Sequence, residues 1–285
     1  MNSAESTLKS ELIYYKFMGF LRTFCFTIYF IINNIGKDYR ISYLRKFKLV
    51  IRAFKLNKKK GHSLFLTFRN TLQHLILMNQ VFRVPKTLKG DVVECGCCNG
   101  TSTISLSLAC ALTNRRLFVC DSFKGLPSPT EEEKYTIIRY SDSYYLWEEG
   151  DMASFGGLNG TRERIRKFGN IEVCQFVEGY FKDTLKDIKT DSIVLVFEDA
   201  DLKSSVEDCL RFLWPKIQKG CKFFSHEPWS LEVVSLFYNE EWWRRELKAE
   251  PPGFQGSGKT ISGLGFAMNI DAARIKQNGK KEVNL

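Results

Sequence analysis

Apolar and polar residues follow two alternating periods along most of this chain. Short apolar runs predict strands at residues 91–94, 117–120, 171–177, 192–197, 221–224 and 264–269. Apolar residues at helical spacing predict helices at residues 64–84, 103–112, 161–168, 204–213 and 230–247. Strands and helices that alternate in this way predict an α/β fold with a doubly wound, Rossmann-like sheet whose strands are largely parallel.

The first 60 residues have a different pattern. Residues 12–35 are strongly apolar, but Lys16 and Arg22 interrupt them and leave an uncharged run of only 14 residues. A membrane-spanning helix needs about 20 apolar residues, so a span is not expected. Residues 41–56 predict an amphipathic helix. Its predicted apolar face is Tyr43, Phe47, Val50 and Phe54, and its basic face is Arg45, Lys48, Arg52 and Lys55.

Residues 12–60 allow two interpretations. An aromatic helix followed by a basic amphipathic helix is typical of peripheral contact with an anionic membrane surface. The alternative is a helical arm that packs on the rest of the chain or on a second subunit of a homo-oligomer. Both interpretations predict an amino-terminal arm at residues 1–60 and one domain at residues 61–285.

Charge and cysteine content limit the classes of function. The 285 residues have a formal net charge of +10, and residues 37–60 hold ten basic residues against Asp38 alone. The remainder is close to neutral, which argues against a nucleic-acid-binding core. Most of the nine cysteines lie in apolar segments, as small buried hydrophobic residues do. We expect a reduced, cytoplasmic protein, with the inner face of the membrane as the place of any peripheral contact.

The first predicted strand ends in a glycine turn that indicates a ligand site. Glu94 ends the strand, and Gly96 and Gly100 lie in the turn before the next helix. In open α/β sheets, nucleotide-like ligands bind at the carboxyl ends of strands. The turn does not match the dinucleotide pattern G-x-G-x-x-G, but S-adenosylmethionine has no pyrophosphate and needs no such pattern. Asp121 ends the next strand, where it is well placed to bind ribose hydroxyls.

Ionisable residues gather at the same predicted edge of the sheet. Asp199 and Asp201 follow the strand at residues 192–197, and His226 and Glu227 follow the next strand. Asp199, His226 and Glu227 could hold a divalent metal, because a cation offsets the repulsion between carboxylates. Asp201 would then be available as a general base. A solvated acidic loop is the alternative.

The letters of a phosphate-binding loop occur at residues 253–260, which match G-x-x-x-x-G-K-T. That motif needs a buried strand before it and a helix after it. Two prolines precede it here, and a glycine-broken apolar segment follows it. We therefore interpret it as a glycine-rich hairpin loop.

Residues 128–157 have no regular pattern and are rich in glutamate and tyrosine. A loop of this length inside a compact domain is usually functional, so a lid or binding loop is predicted. An ordinary surface insertion is the alternative.

Four segments form a combined signature. They are Val93-Glu-Cys-Gly-Cys-Cys-Asn-Gly-Thr-Ser-Thr, Phe118-Val-Cys-Asp-Ser-Phe-Lys-Gly-Leu-Pro, Val177-Glu-Gly-Tyr-Phe-Lys-Asp-Thr-Leu and Phe197-Glu-Asp-Ala-Asp-Leu. In this order and spacing they resemble the macrocin O-methyltransferase (TylF-type) family. The resemblance covers about residues 72–269 and does not extend to residues 1–60.

The resemblance implies a class I methyltransferase fold, with a seven-stranded sheet whose last strand is antiparallel. It implies S-adenosylmethionine as the donor and a magnesium-dependent methyl transfer to a hydroxyl of a sugar or another small glycosylated acceptor. The residues that match the donor site are Glu94, Gly96, Asn99, Gly100, Thr101, Ser102, Asp121, Ser122 and Gly179. The aspartate matching Asp199 binds the metal in that family, and the one matching Asp201 is a candidate base.

The chain departs from the family where an Asp-Asp pair completes the metal site. His226 and Glu227 stand there, and histidine suits softer metals such as manganese, iron or zinc. Lys203 also replaces a family tyrosine. The alternative function is therefore a catalytically degenerate S-adenosylmethionine-binding module at a membrane or partner surface. A nicotinamide-dependent oxidoreductase is disfavoured by the glycine spacing, and a P-loop enzyme by its context.

Overall fold

The computed structural model of the chain describes residues 3–33, 37–58, 63–137, 144–257 and 262–270. Its helices are α1 (Ser3–Ile32), α2 (Tyr43–Asn57), α3 (Leu64–Arg83), α4 (Thr101–Thr113), α5 (Gly157–Phe168), α6 (Phe181–Thr184), α7 (Lys203–Leu213), α8 (Leu231–Leu236) and α9 (Glu240–Leu247). Its strands are β1 (Asp91–Cys95), β2 (Leu117–Asp121), β3 (Tyr135–Ile137), β4 (Tyr144–Leu146), β5 (Cys174–Glu178), β6 (Ile193–Glu198), β7 (Ile217–Ser225) and β8 (Gly265–Met268).

The main sheet has the strand order β5-β2-β1-β6-β7-β8. Neighbouring strands are parallel except for β7 and β8, which are antiparallel. The chain winds outward from β1 to β5 and then returns to β6, so the switch point of the sheet lies between β1 and β6. The predicted doubly wound fold is confirmed, including its antiparallel last strand, although the described residues form six strands of this sheet rather than seven.

The central strands are buried along their whole length, as strands covered on both faces must be. Every residue of β1, β2 and β6 is buried. The polar residue at the start of β1 is satisfied within the fold, since the Asp91 carboxylate accepts hydrogen bonds from Arg116 Nε at 2.9 Å and Thr190 Oγ1 at 2.7 Å. The sheet therefore forms a rigid support for the loops at its carboxyl edge.

The first two helices pack against the remainder of the fold through α3 and α4. Phe30 of α1 and Leu49, Val50 and Ala53 of α2 belong to the same apolar core as the sheet. None of the described helices combines the length and the apolarity that crossing a membrane requires. The division of the chain at residue 60 stays a prediction, and residues 59–62 lie outside the described residues.

The core-facing side of α2 differs from the one predicted from its periodicity. Val50 is buried, but Tyr43 and Phe47 are exposed, and Lys46 is buried in their place. Lys46 Nζ donates a hydrogen bond to the backbone oxygen of Asn33, and burial lowers its pKa. Which side of α2 is buried depends on the shapes of α1, α3 and α4, against which it packs. The periodicity of α2 gives no information about those shapes.

Three local predictions also need correction. The helix predicted at residues 230–247 is two helices, because the Asn239 side chain accepts a hydrogen bond from the Trp242 amide at 3.0 Å and caps the start of α9. The strand predicted from residue 171 begins with a 3₁₀ turn at Ile171–Val173. Residues 128–157 are not wholly irregular, since β3 and β4 pair there as an antiparallel ribbon; residues 138–143 lie outside the described residues.

The segment that matches the P-loop letters has no helix in its described part. Gln255 pairs with Phe266 in an antiparallel bridge, in agreement with a hairpin. Residues 258–260, which include the lysine of the motif, lie outside the described residues.

Candidate active site

Asp121 shapes the glycine turn through its carboxylate. Its Oδ2 atom accepts hydrogen bonds from the amides of Cys97 at 2.7 Å and Cys98 at 2.9 Å. Its Oδ1 atom accepts from the Phe123 amide at 2.6 Å. A carboxylate has about four acceptor positions, so Asp121 holds two backbone turns and retains some capacity for a ligand. Its predicted contact with ribose hydroxyls stays a prediction.

The two halves of the site meet at a backbone contact that requires glycine. Gly96 has φ +82°, and a Cβ atom there would lie 1.9 Å from the backbone oxygen of Asp199. Glycine has no Cβ and adopts positive φ without strain. The turn after β1 can therefore approach the loop after β6 directly.

Two cavities adjoin this contact. The larger, of about 450 Å³, is lined on one side by Gly96, Asp121, Ser122 and Gly179, and on the other by Asp199, Asp201 and His226. The smaller, of about 200 Å³, is lined by Asn99, Thr101 and Ser102 among others. Asn70, Cys98, Asp199 and His226 line both cavities. One elongated ligand could therefore occupy both.

Two of the predicted donor-site residues do not line either cavity. Gly100 packs towards α5, since a Cβ atom there would lie 3.0 Å from the Thr161 side chain. Glu94 is fully buried in β1, and neither of its oxygens makes a well-formed hydrogen bond within the described residues.

The environment of Glu94 favours its neutral form. Burial raises the pKa of Glu94 to about 8, while the nearby hydroxyls of Ser102 and Thr103 oppose the shift and the charges of Asp199 and Asp121 add to it. A buried carboxyl group without strong partners is costly to ionise. A cation close to it would reverse that preference.

The three predicted metal ligands come together at the carboxyl ends of β6 and β7. Donor atoms of Asp199, His226 and Glu227 all lie within 4.8 Å of one another. His226 Nδ1 is 2.8 Å from Asp199 Oδ1 and 3.9 Å from Glu227 Oε1. Burial opposes the effect, but the charge of Asp199 raises the pKa of His226, and His226 in turn lowers the pKa of Asp199.

Two buried glutamates, Glu227 of the triad and the neighbouring Glu198, crowd this part of the site. Glu198 and Glu227 are fully buried, and burial raises the pKa of both. Ser225 Oγ donates a hydrogen bond to Glu227 Oε2 at 3.1 Å, whereas Glu227 Oε1 has no hydrogen-bond partner among the described residues. Glu198 Oε1 accepts from the Ala200 amide at 2.8 Å. Glu198 therefore belongs to the buried support of the site, and not to a solvated acidic loop.

Asp201 lies on the wall of the larger cavity in an unusual backbone conformation. Its φ is +60°, a value that non-glycine residues adopt at a cost in free energy. Burial, followed by the charge of Asp199, raises the pKa of Asp201 to about 7, with His226 opposing. A carboxylate with this pKa can exchange protons near neutral pH.

The loop predicted to cover the site is attached to the glycine turn. Ser154 Oγ of the loop donates a hydrogen bond to the backbone oxygen of Cys98 at 2.6 Å, and Thr161 Oγ1 of the following helix α5 donates to the same oxygen at 3.2 Å. The Phe155 amide donates to Asn99 Oδ1 at 2.9 Å. Met152 lines the larger cavity. These contacts agree with a binding loop.

Sequence reasoning missed the contribution of α3. Asn70, Gln73, His74 and Leu77 of this helix line the smaller cavity, and Asn70 also lines the larger one. The available signal was the group of polar residues spaced three and four apart in an otherwise apolar helix. Residues 180–182, Ser204, Ser205 and Asp208 were also missed in the wall of the larger cavity.

The strand order and the position of the site at the switch point of the sheet are those of the α/β methyltransferase fold. The solved structure titled "Structure of the O-methyltransferase NovP" superposes with a TM-score of 0.58 at 18% identity, covering 87% of this chain and 100% of that one. Residues 63–224 match the family described as macrocin O-methyltransferase (TylF). The chain belongs to this family.

Two curated relatives have similar sequences. Demethyldecarbamoylnovobiocin O-methyltransferase of Streptomyces niveus is 28% identical over 145 residues, which are 48% of this chain and 52% of that protein. The 8-demethyl-8-(2,3-dimethoxy-alpha-L-rhamnosyl)-tetracenomycin-C 4'-O-methyltransferase of Streptomyces olivaceus is 29% identical over 140 residues, which are 46% of this chain and 50% of that protein. The similarity thus spans about half the length of each relative.

Proposed function

We propose that this chain is an S-adenosylmethionine-dependent O-methyltransferase that acts on a hydroxyl of a sugar or another small glycosylated acceptor. The observation that carries the proposal is the cavity of about 450 Å³ at the switch point. It joins the donor-site residues Asp121 and Ser122 to the ionisable residues Asp199, Asp201 and His226 in one space. The names of both curated relatives, one of which specifies a rhamnosyl acceptor, support the acceptor class.

Glu94 and the glycine turn would bind the donor. S-adenosylmethionine carries a sulfonium and an α-ammonium group, and a nearby cation favours the ionised form of a buried carboxyl. Glu94 lies under the turn with oxygens that have no well-formed hydrogen bond in the described structure. The cofactor therefore fits the residues present. The donor would supply the methyl group, and the fold would align it with the acceptor hydroxyl.

Asp201 is the proposed general base. The acceptor hydroxyl must lose its proton as the methyl group is transferred, and a base is most effective when its pKa lies near the working pH. The pKa of Asp201 is raised to about 7, first by burial and then by Asp199. Its position on the cavity wall gives it access to a bound hydroxyl.

A divalent metal fits Asp199, His226 and Glu227. The three residues offer a cation two carboxylates and one imidazole, with donor atoms within 4.8 Å of one another. Glu227 Oε1 has no hydrogen-bond partner in the described part of the chain and is therefore available to a cation. A metal bound there would lower the pKa of the acceptor hydroxyl and orient it. The histidine favours manganese, iron or zinc over magnesium.

Binding and turnover measurements separate this proposal from its alternative. Calorimetry with S-adenosylmethionine, NAD and ATP, with and without magnesium or manganese, should detect binding of the first ligand alone. Methyl transfer to a panel of glycosides should then fall by about a hundredfold in Asp201→Asn, while donor binding persists. Donor binding without transfer to any acceptor in wild type would favour the degenerate binding module.

We also propose peripheral membrane contact through the exposed face of α2. The exposed residues of this helix divide into an apolar half (Tyr43, Leu44, Phe47 and Ile51) and a basic half (Arg45, Lys48, Arg52 and Lys55). The basic residues and Arg164 border an open apolar groove of about 990 Å³. An apolar surface beside clustered cations is typical of helices that bind an anionic bilayer, since the apolar side chains enter the headgroup region and the cations contact the anionic lipids.

Vesicle flotation of the full chain tests this contact. We expect binding to vesicles that contain phosphatidylserine, little binding to phosphatidylcholine alone, and loss of binding in the double variant Lys48→Glu and Lys55→Glu. The control is Lys186→Glu with Lys189→Glu, which reverses two exposed lysines outside the arm. A stable homodimer in light scattering, with no vesicle binding, would assign the same face to a second subunit and overturn the membrane proposal.

A further inference from the structure

The loop between β6 and α7 makes a strained turn centred on Asp201. The Leu202 amide donates a hydrogen bond to the backbone oxygen of Ala200 at 2.6 Å, which is the pairing of a γ-turn. Asp201 at its centre has φ +60°. A γ-turn with positive φ at its centre is rare because it strains an L-residue. Such a conformation persists only where the surrounding structure holds it.

The sheet holds the first half of this turn. The Asp199 amide donates a hydrogen bond to the backbone oxygen of Cys95 at 2.9 Å, and the Ala200 amide donates to Glu198 Oε1 at 2.8 Å. Both acceptors lie at the ends of buried strands, β1 and β6. After Asp201 the chain leaves the sheet, so the second half of the turn depends on other contacts.

Glu133, from the loop at residues 128–157, holds the start of α7. Its Oε1 atom accepts a hydrogen bond from the Ser204 amide at 2.6 Å, and its Oε2 atom accepts from the Thr130 amide at 3.1 Å. Leu202, the N-cap of α7, forms no side-chain cap. Glu133 therefore supplies, from a distant part of the sequence, the acceptor that a capping side chain usually provides.

The charge of Glu133 suits this position. Burial acts to raise the pKa of Glu133, but hydrogen bonds from Ser204 and Thr130 outweigh it and lower the pKa. The side chain is therefore ionised at neutral pH. A negative charge at the first turn of a helix is stabilised by the helix dipole.

Trp147 of the same loop packs on the last residue of the strained turn. Trp147 and Leu202 are 4% and 1% exposed, and together with Leu126 they form an apolar cluster. The Trp147 amide also donates a hydrogen bond to the backbone oxygen of Lys134 at 2.9 Å. Trp147 is thereby joined to the segment that carries Glu133. One loop therefore contacts the chain at two points directly after Asp201.

The base of this loop is itself fixed. The Leu126 amide donates a hydrogen bond to the backbone oxygen of Asp151 at 2.8 Å, and the Gly150 amide donates to the backbone oxygen of Leu126 at 3.0 Å. A Cβ atom at Gly125 would lie 2.2 Å from the backbone oxygen of Gly150. The two ends of the loop are thus held together by main-chain contacts. The loop can therefore act as a support for the turn at Asp201.

We propose that Glu133 and Trp147 are positioning residues for Asp201, which hold the turn after β6 in the conformation that places Asp201 on the wall of the larger cavity. This inference rests on the proposed function, in which Asp201 is the general base. Neither Glu133 nor Trp147 is among the described residues that line the larger cavity. Both residues therefore act through Asp201 and not on the donor or the acceptor. The loop that covers the site also keeps the base in place.

A double-mutant cycle with Asp201→Asn tests whether Glu133 acts through the base. With the panel glycoside that wild type methylates fastest, Glu133→Ala should lower kcat by up to about tenfold, the equilibrium effect of a lost helix cap. The Kd for S-adenosylmethionine should not change. In the Asp201→Asn background, Glu133→Ala should lower kcat no further, because residues that act as a unit are not additive.

Two variants complete this experiment. Glu133→Gln keeps one acceptor oxygen for the Ser204 amide, so its kcat should lie between those of wild type and Glu133→Ala. Glu132→Ala changes the neighbouring exposed glutamate and is the matched control, with kcat equal to that of wild type.

Amide hydrogen exchange measures the state of the turn without any acceptor. Exchange in the peptide that covers residues 199–204 should be faster, by up to about tenfold, in Glu133→Ala and in Trp147→Ala. Trp147→Phe keeps an apolar ring and should change exchange less than Trp147→Ala does. Glu132→Ala should exchange as wild type does. The Trp147 variants are independent of the Glu133 variants, so each pair still tests the inference if the other does not fold.

The outcomes distinguish this inference from the proposed function. If Glu133→Ala lowers kcat equally in the wild-type and Asp201→Asn backgrounds, or if exchange at residues 199–204 is unchanged in both alanine variants, the inference is wrong, although methyl transfer stands. If wild type transfers no methyl group, or if Asp201→Asn keeps full turnover, the proposed function or its base fails. The catalytic part of the inference then fails with it, while exchange still decides whether the loop holds the turn.

Discussion

Replacing Glu94 by glutamine should stabilise the fold while weakening donor binding. Glu94 is fully buried, and burial raises its pKa from 4.5 to about 8. A glutamine has nearly the same shape and no charge to desolvate. Above its ordinary pKa, Glu94 must take up a proton when the chain folds, and the variant removes that cost. It also removes the proposed partner of the donor's α-ammonium group.

The magnitude follows from the two pKa values. The folded state binds the Glu94 proton more tightly than the unfolded state does, so the stability from this group is complete below pH 4.5 and is lost as pH rises to about 8. Each pH unit in that window corresponds to about 1.4 kcal/mol. Glu94→Gln should therefore increase the free energy of unfolding by about 3 kcal/mol at pH 7 and by little at pH 4.5.

Urea unfolding followed by tryptophan fluorescence between pH 5 and pH 8 measures this difference. The free energy of unfolding of wild type should fall relative to that of Glu94→Gln as pH rises. Glu172→Gln, which changes an exposed glutamate, is the control. Its free energy of unfolding should show the same dependence on pH as that of wild type. A constant difference between Glu94→Gln and wild type across this range would refute the reasoning, because it would mean that Glu94 does not titrate differently in the two states.

The same variant should bind S-adenosylmethionine about tenfold or more weakly, since a charged hydrogen bond is replaced by a neutral one. A variant that is more stable but binds less well is typical of a group kept for function at the expense of stability. Unchanged affinity in calorimetry would remove Glu94 from the donor site.

Three further outcomes are expected. Gly96→Ala should lower the free energy of unfolding by about 2 kcal/mol or more, because φ is positive there and the new Cβ would lie 1.9 Å from the backbone oxygen of Asp199. Urea unfolding measures this change, and an unchanged free energy would contradict the contact. Asp201→Asn should reduce kcat by about a hundredfold with little change in donor Kd, and full turnover would exclude it as the base. His226→Asp should shift metal preference in calorimetry from manganese towards magnesium, and an unchanged preference would argue against a metal at this residue.

The meeting of Asp199 with His226 and Glu227 was predictable because it depends only on topology. Adjacent parallel strands end at one edge, so residues that follow β6 and β7 must be neighbours whatever the side chains between them. The burial of β1 and β6 was predictable for a similar reason, since continuous apolar runs suit strands covered on both faces.

The core-facing side of α2 and the place of Gln73 in the wall of the smaller cavity were not predictable in this way. Helix α2 has apolar residues on two sides, and only the shapes of α1, α3 and α4 decide that Leu49 packs while Phe47 stays exposed. Gln73 in an apolar helix has the same pattern whether it is satisfied within the core or faces a cavity. The difference lies in the position of the glycine turn, which is distant in sequence.

The contact between Gly96 and the Asp199 carbonyl has a consequence for how this site can diversify. It brings main-chain atoms of the proposed donor half and the proposed acceptor half together, with no room for a side chain between them. If the proposed function holds, substitutions in the loop at residues 144–157 should change which acceptor is admitted without altering this main-chain contact. We expect chains with this fold to acquire new acceptors by altering the covering loop, while the glycine remains in place.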